Sequence, residues 1–272
     1  MEHNLDKLKE RLLPLYVNLR KDCNADENLC PFLMHWGDKF PIKENDGIIF
    51  YGRATNGWSH GTWDDDIFFS NDDNSNERGW NRDDQMQWVE NQWSSSEDGY
   101  NTNRSQFWNI IKGVSTHFYG QEWFNFVAWS NICKVAPYTQ GNPSYELFEK
   151  TSNNNIEVLK SELGFWSPKY IVFLTDGMKR GNKTRISWWT DPFISSLLSD
   201  DDGKEPLPFC EVPWDKENPE IKIQVYKLKE RYIIRSLHPQ GRKVAPHKDA
   251  IINLIEMIEK GTQPGKCSQQ PL

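Results

Sequence analysis

Three polar segments that could form a functional site each follow an apolar run that predicts a buried strand. They are residues 52–58 (GRATNGW), 130–137 (SNICKVAP) and 237–242 (LHPQGR). Because ligands of open parallel sheets bind beyond the carboxyl ends of the strands, we expect a Gly-rich turn, Asn131 and His238 to converge at one edge. Asn131 would serve equally as a turn or cap residue, and a lone His is most often structural. Their shared position directly after buried strands favours a site.

Aromatic and basic residues indicate what such a site could bind. The chain has 13 Trp, 14 Phe and 9 Tyr, and Trp in polar loops suits stacking on flat ligands such as bases or sugars, with ordinary packing as the alternative. Residues 177–190 hold four bases and no acid, and residues 227–248 hold seven bases and one acid. These two segments could form one basic face, or be ordinary solvated surface.

The elements that must position these segments alternate along the chain. Short apolar runs predict strands at 47–51, 124–129, 170–174 and 232–236, and an alternating run at 221–228 could pair with the last of them. Helical apolar spacing predicts helices at 5–20, 105–119, 145–163 and 250–258. The sequence therefore predicts an α/β fold, specifically a three-layer α/β/α sandwich with a central, mainly parallel sheet of four strands.

Length and pattern predict a single domain. The chain has 272 residues, enough to bury a core without disulfides or metals. We expect one domain over 1–260 and a flexible tail over 261–272. Residues 58–103 break the pattern and predict a polar insertion rich in Trp and Asp, with one short helix near 84–93.

Composition excludes several classes of protein. The net charge is −7, with eleven acids and two bases in residues 64–98, so a globally basic nucleic-acid-binding protein is excluded. No run approaches the roughly 18–20 apolar residues of a membrane span, and the first residues predict no secretory signal. Five cysteines without regular spacing predict free thiols in the cytoplasm, and the lack of zinc-ligand spacing predicts no metal and no cofactor.

The order of these motifs resembles the uracil-DNA glycosylase superfamily. The likeness spans about residues 45–258 and is strongest at FVAWSNICKVAPYTQGNPS, which is similar to a TN-x-x-K segment of the family's thermophilic branch. SLHPQGR resembles the family's His-Pro loop, and SPKYIVFLTDG resembles its third strand. The resemblance implies hydrolysis of the bond between a base and deoxyribose in DNA, with the base flipped out of the stack.

The resemblance also implies roles for individual residues. His238 would donate a hydrogen bond to the departing base, which gains negative charge in the transition state. Asn131 would bind the flipped base, because an amide offers donors and an acceptor in one plane. The Gly-rich loop, with Gly52, Arg53 and Ala54, would lie beside the base.

This loop departs from the family at the residue that orients the attacking water. Family members have an acid or Asn in or beside the loop, whereas the ungapped equivalent here is Ala54. Asn56 could fill the role if the loop is longer, although Asn56 and Gly57 also form a strong turn dipeptide. One of Asp64, Asp65 and Asp66 could act instead, or these residues could be a solvated acidic loop.

A flat side chain near this loop should stack on the base. The candidates are Trp58 and Trp63, followed by Phe68 and Phe69. The cysteine spacing does not match the family's iron–sulfur branch, so we expect no cluster.

The basic residues near the site are the expected DNA contacts. Arg242 follows the His-Pro turn, where relatives insert a side chain into the gap left by the flipped base. Phosphate contacts are expected from Lys243, Lys179, Arg180, Lys183 and Arg185.

Two hypotheses follow from these residues. The first is a monomeric DNA glycosylase that removes a uracil-like or modified base, in repair or in defence against modified phage DNA. The second is a nucleic-acid or nucleotide binder that kept the fold and lost the water activator.

Overall fold

The computed structural model of this protein describes residues 5–41, 43–57, 63, 86–93, 101–178, 185–186, 188–198 and 206–261. Six α-helices lie in these ranges: α1 Leu5–Asp22, α2 Trp88–Asn91, α3 Gln106–Tyr119, α4 Tyr145–Trp166, α5 Asp191–Leu198 and α6 Val244–Glu259. Ten strands accompany them: β1 Leu29–Pro31, β2 His35–Trp36, β3 Ile48–Gly52, β4 Val127–Asn131, β5 Val135–Pro137, β6 Tyr170–Met178, β7 Arg185–Ile186, β8 Cys210–Asp215, β9 Asn218–Leu228 and β10 Arg231–Leu237. The predicted α/β fold is confirmed in this general form.

The main sheet is mixed and larger than predicted. Its strand order is β2-β4-β3-β6-β10-β9-β8, with β7 paired to β6. The neighbouring pairs β4–β3, β3–β6 and β6–β10 are parallel, and these four strands are the ones that the apolar runs predict. The prediction of a four-stranded sheet missed the antiparallel strands at both edges, since β2 has only two residues and β8 contains Pro213. The expected pairing of residues 221–228 with the last strand is confirmed, with Arg231 opposite Leu228.

Helices pack on both faces of this sheet because side chains alternate along each strand. Ile49 and Tyr51 of β3 face a core formed with α1 and α4. Ile48 and Phe50 face a second core formed with α3 and α6. The next residue on this second face is Gly52, where β3 ends. Because side chains alternate along β3, Gly52 lies on the sheet face that packs against α3.

Local capping explains where the predicted helices begin. Ser105 Oγ accepts the Trp108 N–H at 3.4 Å and Ser144 Oγ accepts the Leu147 N–H at 3.1 Å, so α3 and α4 start at the predicted residues or one later. The last helix starts at Val244, six residues before the predicted residue 250. Its first two turns contain Pro246 and the buried polar residue His247, so they lack the run of large apolar residues from which the helix was predicted.

The predicted insertion lies mostly outside the described residues. Its described part includes α2, and both Val89 of α2 and Met86, two residues before it, are buried in the α3/α6 core. The predicted tail is described only at residue 261. The single-domain prediction, with these boundaries, stays a prediction.

Candidate active site

The ends of β3 and β4 lie side by side and are joined by backbone hydrogen bonds. Gly52 and Asn131 are register partners at the last position of this parallel pair. Beyond them, the Ile132 N–H donates to the Gly52 carbonyl at 2.9 Å, and the Cys133 N–H donates to the Arg53 carbonyl at 2.8 Å. The Asn-containing turn and the Gly-rich loop are therefore one continuous structure.

Asn131 carries a buried amide group with unused donors. Asn131 is 1% exposed, and its Nδ2 has no hydrogen-bond partner among the residues that the structure describes. A buried donor left unpaired destabilises a protein by about 1–3 kcal/mol, whereas a ligand acceptor at this point would remove that penalty. An Asn amide in this state is suited to binding a polar ligand.

Gly52 is required by its closeness to Asn131. A Cβ atom at this position would lie 2.6 Å from Asn131 Oδ1 and 3.2 Å from the ring of Phe107. Any side chain would displace one of these groups, so Gly52 lets the amide and the ring sit close together.

Phe107, in the first turn of α3, is a site residue that the sequence did not single out. Its ring stacks on the His238 imidazole, with centroids 6.2 Å apart and planes at 14°. The helical spacing predicted Phe107 only as part of the buried stripe of α3. Its position two residues after the Ser105 cap, at the end of the helix beside the sheet edge, is the signal that could have identified it.

His238 is a neutral hydrogen-bond donor in this arrangement. Its Nδ1 accepts the Gln240 N–H at 3.3 Å, which places the ring proton on Nε2. Burial, together with the nearby charges of Arg53 and Arg242, lowers the pKa of His238 to about 4. At neutral pH the imidazole therefore offers one N–H without a charge of its own.

The His238 loop is held from both sides. The His238 N–H donates to the Asp176 carbonyl at 2.7 Å, which ties the loop to β6. Gln106 of α3 accepts the Gly241 N–H at 2.5 Å and donates to the Arg242 carbonyl at 2.7 Å. These bonds fix the position of the imidazole relative to Phe107.

Arg242, expected to enter the DNA stack, is folded back onto its own loop. Its Nη1 donates to the His238 carbonyl at 2.5 Å and to the Gln240 carbonyl at 3.0 Å. Burial lowers the pKa of this guanidinium. In this conformation Arg242 shapes the loop and adds positive charge beside the imidazole.

A buried polar cluster supports the strand ends from the other face of the sheet. Lys134 Nζ lies 2.7 Å from both oxygens of Glu162 and 2.6 Å from Ser130 Oγ, and both charged side chains are fully buried. The Tyr51 hydroxyl donates to Glu162 at 3.0 Å. Since Tyr51 and Ser130 directly precede Gly52 and Asn131, this cluster fixes the backbone from which the site is built.

The other sequence candidates near the loop have different surroundings. Asn56 is exposed, and its Oδ1 accepts the Gly141 N–H at 3.1 Å in a contact between two loops. Trp63 donates its indole N–H to the Leu29 carbonyl at 2.7 Å and packs against the α1/α4 core, as Ala54 also does. Lys243 is exposed and pairs with Glu217 at 2.5 Å.

The remaining sequence candidates are not described by the structure. Trp58, Asp64, Lys179, Arg180 and Lys183 lie outside the described residues, as do Asp65, Asp66, Phe68 and Phe69. For Arg185 only the backbone, in β7, is described. The structure thus brings together Gly52, Arg53, Asn131 and His238, and adds Phe107.

Comparison with protein-family models and with curated proteins found no match for this chain. Within the described ranges, no three His, Cys, Asp or Glu side chains are grouped so that they could hold a metal ion. The helices of the same ranges include none with the length and apolar character needed to cross a bilayer.

The site offers mainly hydrogen-bond donors. Asn131 supplies amide N–H groups, His238 supplies Nε2–H, and Arg53 and Arg242 supply positive charge. Phe107 adds a flat apolar wall. This combination suits a planar ligand whose edge carries oxygen acceptors, and it would favour negative charge that develops on that ligand.

Proposed function

We propose that this protein is a DNA glycosylase of the uracil-DNA glycosylase superfamily, which hydrolyses the bond between deoxyribose and a flipped uracil-like or modified base. The observation that carries the proposal is the buried Asn131 amide, which has no partner among the described residues, and the neutral donor His238. Gly52 and Phe107 link the two where β3, β4 and β10 end. The order of motifs in the sequence resembles that of the superfamily and so indicates hydrolysis of the bond between base and sugar. The site contains hydrogen-bond donors that this reaction needs.

The strand arrangement supports the same family. Taken in chain order, the four parallel strands occupy the spatial order second, first, third, fourth, with helices on both faces. This agrees with a three-layer α/β/α sandwich in which the Gly-rich, Asn and His-Pro loops share one edge. The added antiparallel strands lie outside this core.

The proposed reaction follows from where charge develops. The C1′–N bond breaks with its electron pair leaving on the base, and a water oxygen forms the new bond to C1′. The proton that this water loses passes through solvent to the released base. The base oxygen then carries negative charge, which His238 Nε2–H would stabilise more strongly than it stabilises the intact nucleotide. Asn131 would hold the base edge, and Phe107 would cover one face of the ring.

A DNA glycosylase must also contact the phosphates of the DNA backbone. Lys243 is available at the surface, although it now pairs with Glu217, and Arg242 is engaged within its loop. We expect DNA binding to weaken with salt because each neutralised phosphate releases counterions. The slope of log affinity against log salt concentration then measures how many phosphates the basic side chains neutralise.

A second candidate function is nucleotide or nucleic-acid binding without catalysis. It is favoured by Ala54, which stands where relatives have the water-orienting residue, and by the use of Asn56 Oδ1 in a contact with Gly141. Neither observation affects Asn131, His238 and Phe107, so a protein without catalysis could still bind a base.

An excision assay separates the two functions. Wild-type protein is incubated with single- and double-stranded oligonucleotides that carry uracil or a series of modified bases, and released base is detected by mass spectrometry. Release that is lost in Asn131→Ala supports the glycosylase. Tight binding of these oligonucleotides without release of any base supports the binder.

A further inference from the structure

Arg53 carries a half-buried positive charge that the proposed chemistry does not use. Its Nε donates to the Thr175 carbonyl, and the rest of its guanidinium points to no carboxylate within 4 Å among the described residues. Burial lowers the pKa of Arg53, with a smaller opposing effect from Asp176. A charge taken partly out of water without an ion-pair partner is costly, so a charged ligand group would stabilise it.

The neighbouring carboxylate is already neutralised by other groups. Asp176 accepts two hydrogen bonds from Arg235, at 2.8 and 3.3 Å, and one from the Thr190 hydroxyl at 2.6 Å. Arg235 also pairs with Asp191 at 2.6 Å. These bonds occupy Asp176 with a different arginine, so it lies near Arg53 without forming its ion pair.

Among the described residues, the other groups around Arg53 add no negative charge. His238 is neutral, and the Arg242 guanidinium adds a second cation. Burial raises the pKa of the Cys133 thiol far above neutrality, so this side chain is uncharged as well. The described part of the site edge is therefore electropositive, although the chain as a whole has a net charge of −7.

We propose that Arg53 binds an anionic oxygen group, a phosphate or a carboxylate, on the same ligand whose base edge Asn131 and His238 hold. This inference rests on the proposed function for the identity of that base. The Arg53 carbonyl accepts the Cys133 N–H two residues beyond Asn131, and the Arg53 charge acts on the His238 imidazole, so one ligand could reach Arg53 and these base-binding groups. A guanidinium offers a planar fork of donors that matches carboxylate and phosphate oxygens. The anion belongs either to the sugar, as a phosphate, or to an acidic substituent on the base.

Calorimetric titration with two matched pairs of compounds tests this inference. Deoxyuridine is compared with its 5′-monophosphate, and uracil is compared with 5-carboxyuracil. We expect the charged member of one pair to bind about tenfold to a hundredfold more tightly than its neutral partner, as for hydrogen bonds to charged groups. The pair that shows the preference identifies the source of the anion.

Variants assign that preference to Arg53. Arg53→Gln should remove it and Arg53→Lys should retain part of it, because lysine keeps the charge without the fork. Arg20→Gln is the matched control, since Arg20 lies on α1 and, within the described ranges, donates to the exposed Trp63 carbonyl at 3.3 Å. The comparison of charged and neutral compounds is made on the wild-type protein, so it tests the inference even if an Arg53 variant does not fold.

Three results would overturn the inference: equal binding within both pairs, binding of none of the four compounds, or an unchanged preference in a folded Arg53→Gln. Base excision without any charge preference leaves the glycosylase proposal standing and removes the role of Arg53. If binding shows a charge preference that depends on Arg53 but no base is excised, the role of Arg53 stands and the glycosylase proposal is removed.

Discussion

Replacing Lys134 by Met should destabilise the protein strongly, because it leaves the Glu162 carboxylate buried without its cation. Both side chains are 0% exposed, and Nζ contacts both carboxylate oxygens at 2.7 Å and Ser130 Oγ at 2.6 Å. Removing one partner of such a pair typically costs about 3–5 kcal/mol. The remaining hydroxyl contacts from Tyr51 and Ser130 cannot supply the missing charge.

The helix that carries Glu162 also provides a matched control for Lys134→Met. Glu157 and Lys160 of α4 form an ion pair at 3.1 Å, with side chains 53% and 39% exposed. Exposed pairs contribute about 0–1 kcal/mol, so Lys160→Met should change the free energy of unfolding very little. Lys134→Met and Lys160→Met remove the same chemical group from ion pairs that differ mainly in burial.

Urea unfolding followed by circular dichroism measures the free energy for each variant. A double replacement of Lys134 and Glu162 by Met should recover part of the loss, since no charge remains buried. If Lys134→Met lowers the free energy no more than Lys160→Met does, the buried pair does not support the strand ends as described.

Three further outcomes follow from the site and its supports. Gly52→Ala should abolish base binding in a protein that still folds, because the new Cβ would lie 2.6 Å from Asn131 Oδ1; calorimetry with a nucleoside and an unfolding curve check both parts. Gln106→Ala should destabilise the loop that carries the imidazole by about 1–3 kcal/mol, the sum of two hydrogen bonds, which hydrogen exchange of the loop amides measures. Stability should be full above pH 6.5 and decline as the pH falls toward 3, because burial lowers the pKa of His247 from 6.5 to about 3 and the unfolded chain takes up the proton first. Urea unfolding at pH 7 and pH 5 measures this decline, and His247→Gln should make it shallower.

The central strands and the residues after them could be predicted because their signals are local. Short apolar runs bounded by turn residues, such as 170–174, predict buried strands, and the polar residues that follow must then lie at the edge of the sheet. Asn131 and His238 were singled out in this way, and the structure places both at that edge. The pairing of β9 with β10 was also predicted, from an alternating pattern and a tight turn.

The supports of the site depend on contacts between distant parts of the chain, which no local pattern reveals. Phe107 reads as an ordinary core residue of α3, and only the fold places its ring on the imidazole. Lys134 and Glu162 are 28 residues apart, and a charged pair in sequence normally predicts solvent exposure. The two-residue strand β2 is too short to have a pattern at all.

Single-turnover excision by wild type and by His238→Ala, on the modified-base oligonucleotides that the wild type cleaves, tests the central claim most directly. Loss of one transition-state hydrogen-bond donor typically lowers the rate by about 10²–10³. We predict a loss of this size with DNA affinity nearly unchanged, because the Nε2–H acts on charge that appears only as the bond breaks. The account is contradicted if wild-type protein releases no base from any DNA that it binds, or if His238→Ala excises as fast as the wild type.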